Sequence, residues 1–373
     1  MSPATSSAMR GGAKPHVLFA FSQQVWDGYA DPVELARLER FASWQWLACD
    51  GGGRSTFARA ADDPESSAAI RAQIGAADAL VVCHGAPYIG ASILDAAPRL
   101  RLLGELEGDR FAGRMDLEAA WARHIRTVDV TNGSSYPVAE WALGLILLSM
   151  RNAGAHFRRI IAGDTTRDPD LRAQMPGRLR GKRVGLIGCG HMGRLLLKLL
   201  RPFQVELWVH DPYLPRELAE ALGFLQTTLD NVLSQCDVVV CLVPLTPGTQ
   251  GLLGARELNL IQPGAVFVNV SRGAVVDSAA LIARLARNDI IAGLDVFDPE
   301  PIPPDSPILE LPNVFLSPHV GAHTGDAYRP FMALMVDELE RFFHGHETHF
   351  DLTPRSLANR SGAAAIGEVK SNG

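Results

Sequence analysis

The chain has 373 residues, 47% of them apolar, which is enough for two domains with full hydrophobic cores. Its formal net charge is −6 and no run of Lys or Arg stands out, so nucleic acid and anionic membrane surfaces are not expected partners. Five cysteines (Cys49, Cys83, Cys189, Cys236 and Cys241) lack metal-ligand spacing and several sit inside apolar runs, the pattern of buried reduced thiols in a cytoplasmic protein without a metal site.

The opening MSPATSSAMRGGAK has no apolar core of signal-peptide length, and no segment approaches the ~18 uncharged apolar residues of a membrane span. Residues 1–14 and 356–373 are small, polar and rich in Gly, Ser and Ala, and are expected to be disordered tails. His16 to Phe21 predicts a first strand, Ala30 to Phe41 a helix, and Ala77 to Cys83 a strand followed by the loop His84-Gly85-Ala86-Pro87. A short helix follows at Ser92 to Ala97, then a strand at Leu100 to Leu103, a helix at Leu117 to Ala122 and a strand at Ile125 to Val130. This alternation predicts a small α/β unit with a parallel sheet. After a break at Asn132-Gly133-Ser134-Ser135, Val138 to Met150 predicts a helix that is apolar on almost every face, suited to burial at a domain or subunit contact. Residues 154 to 180 read as a polar connector. Strands then recur at 183–187, 205–210, 238–243, 265–270, 291–296 and 314–317, mostly with helices between them, and Ala327 to Phe343 predicts a long last helix. These intervals suit a doubly wound sheet, whose ligands bind at the carboxyl ends of its strands.

The stretch Gly181 to Asp211 organises this second half. An apolar strand, Val184 to Ile187, runs into G-x-G-x-x-G at Gly188, Gly190 and Gly193. A helix-period run follows, and a second strand ends in Asp211. The first glycine permits the tight turn, the second lets a pyrophosphate approach the backbone, and the third lets helix and strand pack closely. Phosphates would sit on the free N–H groups of the helix start, where the dipole favours negative charge. Asp211 is placed to accept hydrogen bonds from an adenosine ribose, which favours NAD, since a 2′-phosphate would meet like charge. In an ordinary βαβ unit the same glycines would serve the turn alone, and Asp211 before Pro212 also suits a turn.

Titratable residues gather just after strand ends: Arg272 in SRGAVVD, Asp295 and Glu300 in GLDVFDPEP, and His319 in SPHVGAH. Such groups are costly to bury unless paired or used. Arg272 alone would suit a salt bridge at the sheet rim, and His319 alone a hydrogen-bonded histidine under a loop. Together, beside a dinucleotide site, they point to a catalytic set.

The segments RVGLIGCGHMG with HDPY, VPLTPGTQGLL, GAVFVNVSRGAVVDSAALI, GLDVFDPEPIPPDSPI and LPNVFLSPHVGAHT cover residues 181 to 324 almost without a gap. In that order they resemble the NAD-dependent D-isomer-specific 2-hydroxyacid dehydrogenases. The resemblance implies a Rossmann-type doubly wound parallel sheet at 132–322 and a second, smaller flavodoxin-like α/β substrate domain, built from 15–131 with a return at 323–355. It implies His319 as general acid and base, Glu300 fixing its tautomer, and Arg272 holding the substrate carboxylate and polarising its carbonyl. For the cofactor NAD it implies contacts from Gly188, Gly190, His191, Met192, Gly193, Asp211, Val243, Pro244, Thr249, Val270, Ser271, Arg272, Asp295 and His319. Thr249 suits a plain loop residue nearly as well. The formate-oxidising branch carries glutamine in place of the acid, so Glu300 argues against formate. The expected activity is hydride transfer between NAD(H) and a small 2-keto/2-hydroxy acid of D configuration, in a homodimer; a non-catalytic NAD(H)-sensing scaffold or corepressor is the alternative. Relatives usually have a G-x-G-x-D loop after the third strand, whose amides cradle the substrate carboxylate. Here Gly104 to Asp116 reads GELEGDRFAGRMD, longer and carrying Glu105, Glu107, Asp109 and Arg110. If these acids face the pocket, they disfavour dianionic keto acids by like-charge repulsion; solvent-facing side chains are the other expectation.

Overall fold

The computed structural model describes residues 14–53, 59–109, 111–166, 176–325 and 328–361. The chain divides into two compact units, Met1–Ser134 with Asp326–Ala358, and Ser135–Gly325 with Asn359–Gly373.

Unit 1 is built on five parallel strands: β1 (His16–Phe21), β2 (Ser43–Ala48), β3 (Ala79–Val82), β4 (Leu102–Glu105) and β5 (Arg126–Asp129), in the order β2-β1-β3-β4-β5. β1, β3 and β4 are buried almost throughout, which is why their sequences are continuous apolar runs rather than alternations. β2, SWQWLA, is a half-exposed edge strand that sequence patterning did not single out; Trp44 and Trp46 lie beside Trp26, with ring centroids 5.5 and 4.8 Å away. The helix expected over Ala30–Phe41 is Pro32–Leu38, capped by the Asp31 carboxylate on the Val33 N–H, and a separate helix, Gln23–Tyr29, precedes it. A further helix not foreseen, Pro64–Gln73, starts at Asp63. The long helix Arg329–Phe343 returns to this unit and buries Phe331, Met332, Met335, Val336 and Leu339 in one core with Val17, Phe19 and Phe21.

The tail expected from residue 356 is helical at its start, as Pro354–Ser361, where Thr353 and Ser356 satisfy each other's backbone N–H groups. Residues 1–13 and 362–373 lie outside the described residues.

Unit 2 has seven parallel strands: β6 (Arg183–Ile187), β7 (Glu206–His210), β8 (Leu225–Gln226), β9 (Val238–Cys241), β10 (Val266–Asn269), β11 (Ile291–Leu294) and β12 (Val314–Leu316), in the order β12-β11-β10-β9-β6-β7-β8. Counted from β6 this is 3-2-1-4-5-6 with a seventh strand added, the dinucleotide-binding order, and it reverses between β6 and β9. The apolar helix expected at 138–150 spans Ser135–Ser149; it buries Ala139, Ala142, Leu145 and Ile146 in the core shared by β6, β9 and β10. Gly293 of β11 permits that packing, because a Cβ there would lie 2.8 Å from Ser149 Oγ. The connector expected at 154–180 instead begins as a helix, Ala153–Ile161; residues 167–175 lie outside the described residues. The pattern misled because Phe157, Ile160 and Ile161 of this helix are exposed. All five cysteines are free and buried, and burial pushes Cys49, Cys189 and Cys241 up to about 11 and Cys236 to about 12. Among the described residues no helix is long and apolar enough to cross a membrane.

Candidate active site

The glycine turn sits at the strand-order reversal of unit 2. Gly188 has φ +92°, and a Cβ there would come within 2.9 Å of Val243 Cγ1, on the chain leaving β9. A Cβ on Gly193 would press 2.9 Å from Gly188 O, so the third glycine lets helix His191–Leu200 close on the turn. Gly190 is different: nothing lies within 4 Å of its Cβ position. It is the N-cap of that helix and offers no side-chain cap, and the first turn of a helix has backbone N–H groups without an intrahelical partner. Open space over the second glycine with a bare helix N-terminus is the cradle a pyrophosphate needs, so these residues fit a dinucleotide. Asp211 holds this turn: its Oδ2 accepts from Cys189 N (2.8 Å) and its Oδ1 from Tyr213 N (3.0 Å). Each oxygen keeps a second lone pair.

The strand-end residues fall beside one another because β10, β11 and β12 pair in parallel register. Val270 and Ser271 are buried after β10; Ser271 Oγ donates to Asn269 Oδ1 (2.7 Å), and Arg272 Nη1 donates to Ser271 O (2.8 Å). Asp295, after β11, is 2% exposed and accepts four hydrogen bonds from protein groups. Trp141 Nε1 (3.0 Å), Ser317 Oγ (2.6 Å) and Val320 N (3.0 Å) reach its Oδ1, and Gly321 N (2.9 Å) reaches its Oδ2. Asp295 thereby ties the loop on both sides of His319 to the helix Ser135–Ser149. Asn269, Trp141 and Ser317 were not among the residues singled out from sequence; Asn269, a polar residue closing an apolar strand, was the one signal available.

His319 takes a left-handed backbone, φ 55°, rare for a residue with a Cβ and characteristic of functional positions. Its Nδ1 lies 2.6 Å from Glu300 Oε1. A carboxylate only accepts, so Nδ1 carries the hydrogen and Nε2 is the exchangeable position. Among the described residues nothing bonds to Nε2, and the ring is 40% exposed. The loop after β9 is partly self-contained: Thr249 Oγ1 donates to Pro244 O (2.6 Å) and accepts from Thr246 N (2.8 Å), a loop-closing role.

In unit 1, the acids of the unusual loop divide. Glu105 is fully buried and accepts from Arg114 Nη1 at 3.2 Å, with Arg114 also fully buried. Glu105 and Asp129 are register partners on β4 and β5, so two carboxyls share this interior with that one guanidinium. Burial, and then the charge of Asp129, push the Glu105 carboxyl up to about 8. Glu107 is half-buried, Asp109 has φ 48°, and Arg110 lies outside the described residues. The sign for stability follows. The unfolded chain releases this proton near 4.5 and the folded chain near 8, so between those values the folded state binds more protons and stability falls as pH rises. We expect Glu105→Gln to flatten that part of a melting-temperature profile, removing a loss on the order of a few kcal/mol; an unchanged slope would place the proton elsewhere.

Fold and site thus define a dinucleotide-binding α/β protein with a histidine–carboxylate pair at the strand ends. The family model for the NAD-binding domain of D-isomer specific 2-hydroxyacid dehydrogenases matches residues 143–321. A mitochondrial formate dehydrogenase of Solanum tuberosum is 34% identical over 264 residues, 70% of this chain and 68% of that protein. D-3-phosphoglycerate dehydrogenase of Methanocaldococcus jannaschii is 32% identical over 271 residues, 72% of this chain but 50% of that protein, so the chain spans about half the length of that relative. The crystal structure of a phosphoglycerate oxidoreductase from Rhizobium etli shares the fold, with a TM-score of 0.76 at 24% identity over 91% of this chain and 98% of that one. The chain belongs to the D-isomer-specific 2-hydroxyacid dehydrogenase family, and its cofactor is NAD.

Proposed function

We propose that the protein is an NAD(H)-dependent oxidoreductase that interconverts a small 2-keto acid and its 2-hydroxy acid, of D configuration. The observation that carries this reading is the His319–Glu300 pair, with the Nε2 of His319 left open. NAD(H), when bound, supplies or accepts the hydride. Gly188, Gly190, Gly193, His191 and Met192 would hold its phosphates, Asp211 its adenosine ribose, and Val243, Pro244, Val270 and Ser271 would line it. Asp295 would reach a carboxamide only through lone pairs left over from its four protein contacts. Arg272 would grip the substrate carboxylate with its planar fork, which suits that task better than a lysine. In reduction, His319 Nε2 gives its proton to the ketone oxygen; in oxidation the same atom takes the hydroxyl proton. Glu300 keeps the ring in one tautomer for both directions, and as an acid rather than a glutamine it argues against formate as substrate. Unit 1 is read as the substrate domain, and the assembly as a cytoplasmic homodimer, for which the buried reduced thiols and the exposed apolar side chains of helix Ala153–Ile161 speak. A non-catalytic NAD(H)-sensing scaffold has no specific observation in its favour.

The test is oxidation of NADH by the purified protein against glyoxylate, hydroxypyruvate, pyruvate, phenylpyruvate and branched 2-keto acids, repeated with NADPH. Turnover with at least one acid is expected, with kcat/KM higher for NADH because Asp211 would face a 2′-phosphate. NADH binding without turnover of any acid would favour the scaffold, and equal kcat/KM for the two cofactors would overturn the role of Asp211.

A further inference from the structure

Three of the four protein donors on Asp295 come from the loop around His319: the Ser317 hydroxyl before it, and the backbone N–H groups of Val320 and Gly321 after it. The fourth, the indole of Trp141, comes from the helix Ser135–Ser149 in the same unit. Its place there is set by packing further along that helix. The helix lies against β11 where Gly293 has no side chain: a Cβ at Gly293 would stand 2.8 Å from Ser149 Oγ and 3.1 Å from Leu145 Cβ. Trp141 is one turn before Leu145, about 5.4 Å along the axis. Asp295 is two residues beyond Gly293, about 6.6 Å along the strand. The two spacings match, so close packing at Gly293 brings Trp141 over the carboxyl end of β11.

The indole ring is seated as well. It is half-buried, meets Phe315 of β12 edge-on with ring centroids 6.5 Å apart, and its Cδ1 lies 3.1 Å from where a Cβ on Gly321 would be. Nε1 is shared between Asp295 Oδ1 at 3.0 Å and Ser317 Oγ at 3.2 Å. Movement of the Asp295 carboxylate would therefore carry Ser317, Val320 and Gly321 with it, and His319 stands between them. A left-handed φ of 55° at His319 persists only where its surroundings over-determine it. The bonds of Asp295 on both sides of His319 supply that constraint, and Trp141 ties Asp295 to the helix.

We propose that Trp141 is a positioning residue for the reaction: its indole N–H holds the Asp295 carboxylate, and through it sets where His319 Nε2 stands. The inference rests on the hydride-transfer reading above and deepens it. Trp141 touches no reacting atom. Its loss leaves the proton donor present but loosely placed, and such an error falls on the proton transfer rather than on cofactor binding.

The full chain is assayed with NADH and the 2-keto acid that the parent protein reduces best. Trp141→Phe keeps an aromatic ring and removes the N–H. It should lower kcat by about tenfold or more, with KM for the acid and the dissociation constant of NADH within about twofold of the parent. NADH binding is read from the cofactor's own emission. The solvent deuterium effect on kcat should rise, because proton transfer becomes more limiting. Ser317→Ala removes the other side-chain donor on the same oxygen and should act in the same direction. Melting curves show that the variants are folded, and Ser317→Ala carries the test if Trp141→Phe is not. An unchanged kcat, or a loss of kcat matched by an equal loss of NADH affinity, overturns the positioning role and leaves the hydride-transfer reading standing. Reduction of no 2-keto acid by the parent protein overturns that reading, and this inference with it.

Discussion

Replacing His319 by alanine is expected to lower kcat for keto-acid reduction by about 10²–10⁴, with NADH binding retained. The reason is the geometry of one side chain. Its Nδ1 is fixed by Glu300 Oε1 at 2.6 Å, its Nε2 has no hydrogen-bond partner among the described residues, and its backbone is held at a left-handed φ of 55°. An alanine could supply no proton to the ketone oxygen in the proposed reduction. Quenching of protein fluorescence by NADH separates binding from chemistry. A variant that binds NADH and turns over at the parent rate would remove His319 from the mechanism.

Gly273→Ala is expected to lower kcat/KM by about 10² or more although Arg272, Glu300 and His319, the proposed catalytic set, all remain. Gly273 follows Arg272, and a Cβ there would lie 1.8 Å from Phe297 O and 2.6 Å from Asp298 N. Both neighbours are backbone, so no side-chain rotation relieves the contact. One of two loops has to move: the one that carries Arg272, or the one that carries Glu300 three residues beyond Phe297. Overpacking of this kind costs about 1–3 kcal/mol, so the melting temperature should fall by several degrees. A misplacement of about 1 Å at the reacting groups can itself cost about 10² in rate. Gly75→Ala is the matched control, because its Cβ would meet nothing nearer than Ala96 O at 3.8 Å. Equal activity of parent and Gly273→Ala would mean that the two loops are not coupled through this contact.

The same contact shows where a reading of residues in order stops. Gly273 and Phe297 lie just beyond successive strands, β10 and β11, and nothing in the local pattern around SRGAVVD announces that a carbonyl from FDPEP lies against its glycine. The turn at Gly188, by contrast, was legible because strand, glycines, helix and the acid at Asp211 follow one another within one βαβ unit and each has its own local cause. Asp211 was read as a ribose ligand or a turn former; its bonds to Cys189 N and Tyr213 N show it holding the turn, which leaves the first role to be tested.

What the sequence by itself determined is the α/β class, the parallel sheets, the dinucleotide turn and the strand-end positions of Arg272, Asp295, Glu300 and His319. Buried parallel strands must be continuous apolar runs, and polar groups set at their ends stand out against them. The edge strand β2 and the helix Ala153–Ile161 escaped because each is half exposed and so carries a weak pattern. Only the tertiary structure decided the partners. Trp141 reaches Asp295 across 154 positions of chain, Tyr29 reaches Glu107 across 78, and Arg114 stands between Glu105 and His84. Hydrogen-bond partners at such separations are chosen by strand order and register, which place distant segments side by side, and no local periodicity records that choice.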